Sequence, residues 1–326
     1  SGRQAPFTLL EIAESGYKAM LWNQVVTVTG PIRPEQMGTT YVHEHLMVQP
    51  QLEDDTYIPY TLQNEAASQD EVRSFAAAGG NTLVEMTPIH YGRDPAAYRR
   101  ISQKTGVHVI CCTGFHKELF MPPWFGEKTD LQLYDILMDE IENGLDGTGV
   151  RPGVIKLGTS FQEITALETR AIQAAARVHL ETGIPISTHC DRGTMGVEQI
   201  LALEKLGVDP GHVLLCHIDS AKDIEYAIRL CRMGAFICID HVGRELADKD
   251  AFRVRMILEL LDAGCLERVT LAGDMGKRSY LPAYGGAPGL AYILTSLKSA
   301  LVSKIGEAAF RTMLVDNPRR IFGGTL

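Results

Sequence analysis

Nowhere in the 326 residues does an apolar run reach the roughly 18 to 20 residues that a membrane span requires, and no membrane partner is expected. The opening stretch SGRQAPFTLLEIAESGY has no basic region followed by an apolar core, so the chain is expected to remain unexported, in the cytoplasm. Basic charge is scarce as well. Lys and Arg number 31 against 40 Asp and Glu, for a net charge of -9. Nucleic acid needs a concentrated basic surface, and none is visible. The seven cysteines (Cys111, Cys112, Cys190, Cys216, Cys231, Cys238 and Cys265) are odd in number and contain no CxxC pair. Several lie inside apolar runs, a pattern that suits reduced thiols better than a disulfide framework. There is no low-complexity segment, linker or solenoid repeat, and no run of like charge that would read as a tail.

A hydrophobic content of 45% with 22% charged residues is enough to bury a sizeable core. The length suits either two ordinary domains or one large α/β barrel. From residue 39 onward, short segments rich in β-branched residues alternate with longer stretches of helical period, the pattern of a parallel sheet with crossover helices. Eight strands are predicted: TTYVHEHL (39–46), TLVEMT (82–87), HVICCTGF (108–115), GVIKLGT (153–159), PISTHC (185–190), HVLLCHID (212–219), AFICID (235–240) and VTLAGD (269–274). Between them lie amphipathic stretches such as 168–183 and 222–234, each closed by a Gly suited to a left-handed cap. The expected architecture is a (β/α)8 barrel over 39–326, preceded by an N-terminal extension over 1–38 in which VVTVTGPI (25–32) forms a hairpin across the barrel bottom. A doubly wound open sheet uses the same alternation and is the structural rival.

Polar residues separate the two. Strands one, four, five, six and eight end in His43 and His45, Lys156, His189, His217 and Asp274, which apolar strands have no other reason to hold. A barrel brings these ends together at one mouth, where active sites of this fold sit, whereas an open sheet spreads them along a line. In His43-Glu44-His45 the period of a strand turns both imidazoles to one face and Glu44 to the other. A lone buried histidine reads as a core residue with satisfied hydrogen bonds. Four of them with an aspartate, all at strand ends, read as a metal site, and six ligands exceed what one tetrahedral ion requires. Two divalent ions are expected. Zinc, manganese, cobalt and iron all suit histidine with oxygen ligands, and zinc is the first choice.

Lys156 stands out, because an ammonium among metal ligands repels the cations beside it. Reaction with carbon dioxide would convert it into a carbamate, an anionic two-oxygen ligand able to bridge two ions. Two other readings stay open at this point: a structural lysine paired with Asp274, and a Schiff-base lysine of an aldolase-type barrel, although the latter needs no histidine cluster.

The spaced set HEH, IKLGT, THC, CHID and LAGD resembles the phosphotriesterase family of the amidohydrolase superfamily, from about VTVTGPI to DNPRRIF (316–322), nearly the whole chain. The resemblance implies one ion on His43, His45, Lys156 and Asp274 and a second on Lys156, His189 and His217, bridged by carbamylated Lys156 and a hydroxide. Two cations lower the pKa of a shared water and polarise the electrophilic oxygen, so no protein nucleophile is needed. Asp274 would be both ligand and proton acceptor. His241, in the Asp240-His241 pair after strand seven, resembles the family's relay histidine, with Asp219 as its partner. The residue after Asp219 is Ser220, where some relatives carry a second acid. A homodimer is a further implication.

GDMGKRSYLPAYGG after strand eight places Lys277, Arg278 and Tyr280 just beyond Asp274, and Arg244 follows strand seven. Basic residues beside a catalytic mouth form a plausible anion clamp, against the bland reading of a solvated loop. This loop is similar to that of family members that open sugar lactones, including phosphorylated ones. Phe115, His116, Trp124 and Phe125 are placed to wall the pocket, with packing as the alternative. Tyr91 and Arg93 are weaker candidates, since HYGRD reads equally as a helix cap through Asp94. The expected activity is metal-dependent hydrolysis of a lactone or related carboxylic ester, a sugar lactone with or without phosphate. The alternatives are an organophosphate triesterase and, in another class, a non-catalytic ligand-binding barrel.

Overall fold

The structure, a computed structural model, describes residues 23–244 and 247–323. Residues 1–22 of the expected N-terminal extension, and the last three residues of the chain, lie outside it. Strand β1 (Val25–Thr27) pairs antiparallel with β2 (Gly30–Ile32) in the register Val25↔Ile32 and Thr27↔Gly30. The Val28 amide donates to Val109 O at 2.9 Å. Val109 lies at the start of a barrel strand, so the hairpin sits at the barrel's N-terminal end.

Eight parallel strands follow: β3 (Thr40–Glu44), β4 (Thr82–Glu85), β5 (His108–Gly114), β6 (Val154–Thr159), β7 (Ile186–Cys190), β8 (Val213–Cys216), β9 (Phe236–Ile239) and β10 (Val269–Leu271). Each pairs with its sequence neighbour. The ends of the sheet also meet. Asp274 N donates to His43 O at 3.2 Å, and the buried Glu44 carboxylate accepts Gly273 N at 2.6 Å and Met275 N at 2.9 Å. The open-sheet rival leaves its first and last strands far apart; here they are stitched, and the fold is the (β/α)8 barrel. Side chains of β6 are buried throughout, as required of strands covered on both faces.

The helices follow from local chemistry. Thr165 and Glu168 form a reciprocal capping box that starts helix Ala166–Thr182, and Gly183, at φ 75, ends it in the left-handed region. Asp223 caps helix Ile224–Arg232 by accepting Tyr226 N. Asp94 accepts Ala97 N at 2.9 Å and starts helix Pro95–Thr105, so HYGRD does contain a cap. Its Arg93 is spent elsewhere. Its guanidinium pairs with Glu140 and, at 2.8 Å, with Asp146. All seven cysteines are buried and unpaired. Among the described residues no helix is long and apolar enough to cross a membrane.

Candidate metal centre at the barrel mouth

The strand ends that the sequence singles out converge. β3 carries one residue more than β4 between the pairs Tyr41↔Leu83 and Glu44↔Glu85, a bulge immediately before His45. His43 Nε2 lies 3.5 Å and His45 Nε2 3.1 Å from Asp274 Oδ1. The His217 ring is 4.9 Å from that of His43 and 4.6 Å from that of His189. Two of the six residues hold a backbone conformation that L residues avoid, His217 at φ 66 and Asp274 at φ 45. Non-glycine residues kept in the left-handed region cluster where surrounding structure over-determines a functional geometry.

Lys156 projects from the middle of β6 into this group and is 1% exposed. Gly114 of β5 makes room beside it. With φ 105, a Cβ there would sit 2.1 Å from Lys156 O. Among the described residues no carboxylate forms an ion pair with Lys156, so the Asp274-paired structural lysine is not what the fold builds. A buried ammonium without a counter-charge is costly, and the fold keeps Lys156 in this position despite that cost.

The imidazoles fit a metal. Thr87 Oγ1 contacts His45 Nδ1 at 2.8 Å and donates its only proton to Glu85 Oε1 at 2.6 Å, so His45 Nδ1 must be the donor and Nε2 carries the free lone pair toward Asp274. Asp240 Oδ1 accepts from His217 Nδ1 at 2.9 Å and likewise leaves Nε2 for the site. His43 Nδ1 is buried without a hydrogen-bond partner, and His189 Nε2 has Asp191 Oδ1 at 3.6 Å but no hydrogen bond. Native interiors rarely leave such an atom unpaired; the other nitrogen of His43, Nε2, is the one turned to Asp274 Oδ1 and free to ligate there. Burial holds His43 well below the ordinary histidine range, reinforced by the charge of Lys156, and takes His189 down to about 3. Both are therefore neutral, as ligands must be. Burial pulls His217 the same way, but Asp240 outweighs it and raises His217 to about 9, favouring a second ring proton that a bound metal would displace.

Beyond the ligand cluster, His241 lies with its ring stacked 5.0 Å from that of His217 and its Nε2 3.7 Å from Asp274 Oδ2. Its Nδ1 is 2.5 Å from Ser220 Oγ and 3.8 Å from Asp219 Oδ1. The Asp219 carboxylate is held instead by Arg253 Nε at 2.6 Å and by Asp240 N at 3.4 Å. His241 Nδ1 thus has the Ser220 hydroxyl at hydrogen-bond distance and its expected partner Asp219 within ion-pair reach.

A cavity of about 300 Å³ opens over the cluster. Of the expected substrate contacts, His116 and Arg244 line it. Arg244 Nη1 is committed to Asp274 Oδ2 at 2.7 Å and its guanidinium stacks 4.7 Å over Tyr280. Lys277 stands back at the rim, its ammonium 5.3 Å from the Tyr60 ring, which faces the cavity. Arg278 turns away and donates to Thr61 O at 2.7 Å. Phe115 is fully buried behind the wall, packed on Trp124 and Phe125. Tyr91 lines the cavity together with Tyr57, Phe120, Lys117, Asp191 and Arg192, none of the last five having been singled out by sequence. Tyr57 and Phe120 sit in loops with no periodic signal. Asp191 and Arg192 directly follow the THC motif and were within reach of the same strand-end argument.

The sequence profile of the phosphotriesterase family matches residues 23–322. The phosphotriesterase homology protein of Escherichia coli (strain K12) is 34% identical, across 87% of this chain and 98% of its own. Its crystal structure, complexed with phosphate in the active site, aligns with a TM-score of 0.84. The phospho-furanose lactonase of Mycoplasmopsis synoviae (strain 53) is 32% identical over 90% of each chain. A crystal structure of a lactonase from Listeria monocytogenes aligns with a TM-score of 0.88 at 31% identity, covering 93% of this chain and 100% of that one. The barrel, the convergent ligand cluster and these matches agree: the chain is a hydrolase and belongs to the phosphotriesterase family, a family of metal-dependent hydrolases.

Proposed function

We propose that this hydrolase opens a lactone or related carboxylic ester, with a small sugar lactone bearing an anionic substituent as the best fit. The observation that carries the reading is the cavity itself. Its floor is the cluster of His43, His45, Lys156, His189, His217 and Asp274, and its sides and rim bear cations and tyrosines rather than a continuous apolar lining. Those six residues would hold two divalent ions, zinc foremost, with the neutral amine of Lys156 adding to carbon dioxide to form a carbamate and releasing one proton in doing so. When bound, such a pair polarises the substrate carbonyl and lowers the pKa of water between the ions.

The remaining work falls to the chain. Water adds to the acyl carbon and gives one proton to Asp274; the ring C–O bond breaks, the departing alkoxide takes that proton back from Asp274, and the new carboxyl group loses its own proton. His241 Nε2, 3.7 Å from Asp274 Oδ2, is positioned to carry that last proton outward, held by Ser220. Arg244 and Tyr280, with Lys277 behind them, form a basic arc beside the floor for an anionic substituent. The Escherichia coli relative's bound phosphate and the Mycoplasmopsis synoviae relative's phosphorylated substrate support an anion at this mouth.

One observation favours a second reading. Tyr57, Tyr91 and Phe120 make an aromatic wall in the same cavity, suited to the neutral ester groups of an organophosphate. Substrate charge separates the two. Metal-loaded protein is assayed on a pentono-1,4-lactone, its 5-phosphate and a neutral aryl dialkyl phosphate. The lactones should be preferred in kcat/KM, the phosphorylated one most. A triester preferred about a hundredfold over both lactones would refute the lactone reading.

A further inference from the structure

His45 and His217 are each aimed by a hydrogen bond at Nδ1, to Thr87 and to Asp240. His189 makes no such bond among the described residues, and Asp191 Oδ1 stands 3.6 Å from its Nε2. Its direction is therefore inherited from its backbone. That backbone lies at the end of a ladder, because Gly158↔His189 and Thr159↔Cys190 are the last pairs that join β6 to β7. Past them the chain breaks into a turn at Asp191–Gly193. Strand ends are where pairing is lost first unless something else holds them.

What holds this end lies on the other side of the barrel wall. The period of a strand turns Thr188 and Cys190, the residues before and after His189, to the outer face. There Gln199, in the helix Gly196–Lys205, meets both. Its Oε1 accepts from Thr188 Oγ1, and its Nε2 donates to Cys190 Sγ at 3.3 Å and to Thr159 Oγ1 at 2.8 Å. All four side chains are fully buried. One amide thus grips both neighbours of His189 and ties them to β6, the strand that carries Lys156. The helix is fixed in turn, since Gly196 N donates to the Tyr226 hydroxyl at 2.7 Å. A leucine would fill this place between helix and sheet with no hydrogen bonds to satisfy, and a buried amide gains little net stability from the bonds it makes. What a fully satisfied polar network does supply is a single geometry.

We infer that Gln199 is a positioning residue for metal binding: from the outer face of the barrel wall it fixes the backbone from Thr188 to Cys190, and so sets the direction of His189 and its span to Lys156. The inference rests on the reading of His189 as a metal ligand, and it assigns the effect to one ion of the proposed pair. It requires no contact between Gln199 and substrate or metal.

The test is a zinc titration of the metal-free full chain against a chromophoric chelator, with melting followed by calorimetry, on wild type, His189→Ala, Gln199→Leu, Gln199→Met and Thr159→Val. His189→Ala identifies the ion that depends on this ligand. That ion should bind about tenfold or more weakly in both Gln199 variants, and more than about threefold more weakly in Thr159→Val, while the other ion stays within about threefold of wild type. Thr159→Val removes only one of the three contacts, so it carries the test should the Gln199 variants fail to fold. Thr82→Val is the structural control. It removes an equally buried hydroxyl, bonded to Met37 O at 2.6 Å at the start of β4, and should lower the melting point with both zinc affinities unchanged. A His189-dependent ion that stays within about threefold of wild type overturns the assignment, and so does equal weakening of both ions, which is what loosened packing alone would give. Either result leaves the two-ion reading standing. Wild type that binds a single ion, weakened by His189→Ala and by Gln199→Leu alike, keeps the assignment and refutes the two-ion reading; a single ion indifferent to His189→Ala overturns both.

Discussion

Replacing Thr87 by Val tests whether the ring of His45 is oriented for a metal or merely packed. The substitution keeps the shape and removes one hydroxyl from a site that is 1% exposed. Two contacts go, the 2.8 Å one to His45 Nδ1 and the 2.6 Å one to Glu85 Oε1. Burial pushes the Glu85 carboxyl up, but Leu46 N and Thr87 N, each at 3.1 Å, still donate to it, so Glu85 remains partly satisfied. His45 Nδ1–H is left with no acceptor. An unsatisfied buried donor costs about 1–3 kcal/mol and the lost bond to the carboxylate about 1 more, so about 2–4 kcal/mol in all. Unfolding entropy of about 2.1 cal/mol/K per residue sums to about 0.7 kcal/mol/K for this chain, and the metal-free protein should melt about 3–6 °C lower by calorimetry. Loss of the partner that fixes a ligand's tautomer should weaken zinc by about 10- to 100-fold in a competition titration. Thr87→Ser should restore both. A melting point that drops while zinc affinity stays within about threefold of wild type would refute the tautomer argument, because a hydroxyl that only fills space cannot choose which nitrogen faces the metal.

Lys156→Ala should lose bound metal, measured as ions per chain, and recover part of both metal and activity with added acetate or propionate; rescue by amines instead would point to a Schiff base. Asp250→Asn should disturb the loop that carries His241 and Arg244, since Asp250 accepts Gly243 N at 3.1 Å and the Tyr292 hydroxyl at 2.5 Å and pairs with Arg253; kcat should fall about tenfold with KM moving less, and an unchanged kcat would leave Asp250 with a purely structural role. Arg93→Ala should cost about 3–5 kcal/mol, because it strands the largely buried Glu140, yet the folded enzyme should keep its kcat/KM; a selective loss of kcat/KM would return Arg93 to the list of substrate contacts.

The barrel was legible because its signals are local and redundant. A β-branched run such as VIKLGT must be buried on both faces, Asp94 announces a helix start, and Gly183 announces a helix end. Closure was argued from the pattern of polar strand ends alone, and the device that achieves it was out of reach. Glu44 was read as turned away from the imidazoles, and so it is. What it turns toward is Gly273 N and Met275 N, 229 and 231 residues on, and no period or motif encodes such a contact.

The convergence of the strand-end residues was equally legible, since each of them is a polar residue where an apolar strand offers no reason for one. Outside the strands that argument loses its force, because loops are polar anyway. Lys277, Arg278 and Tyr280 all looked like rim donors by position, but Arg278 turns to Thr61 O, and only the conformation of the loop decides that. The case of Asp219 is sharper. An acid two residues beyond a histidine ligand is the natural relay partner, and it does lie near His241. Arg253, 34 residues later in the helix Ala247–Asp262, takes its Oδ2 at 2.6 Å. His241 Nδ1 lies 3.8 Å from the other oxygen, Oδ1, and 2.5 Å from the hydroxyl of Ser220, so the carboxylate is shared between a buried ion pair and the histidine. An arginine on an amphipathic helix is usually solvated, and its burial here depends on which face of that helix meets the barrel. Roles shared between distant partners are therefore the ones that sequence position alone reads only in part, and Asp219→Asn should accordingly cost stability through Arg253 more than it alters the behaviour of His241, which keeps Ser220 at 2.5 Å.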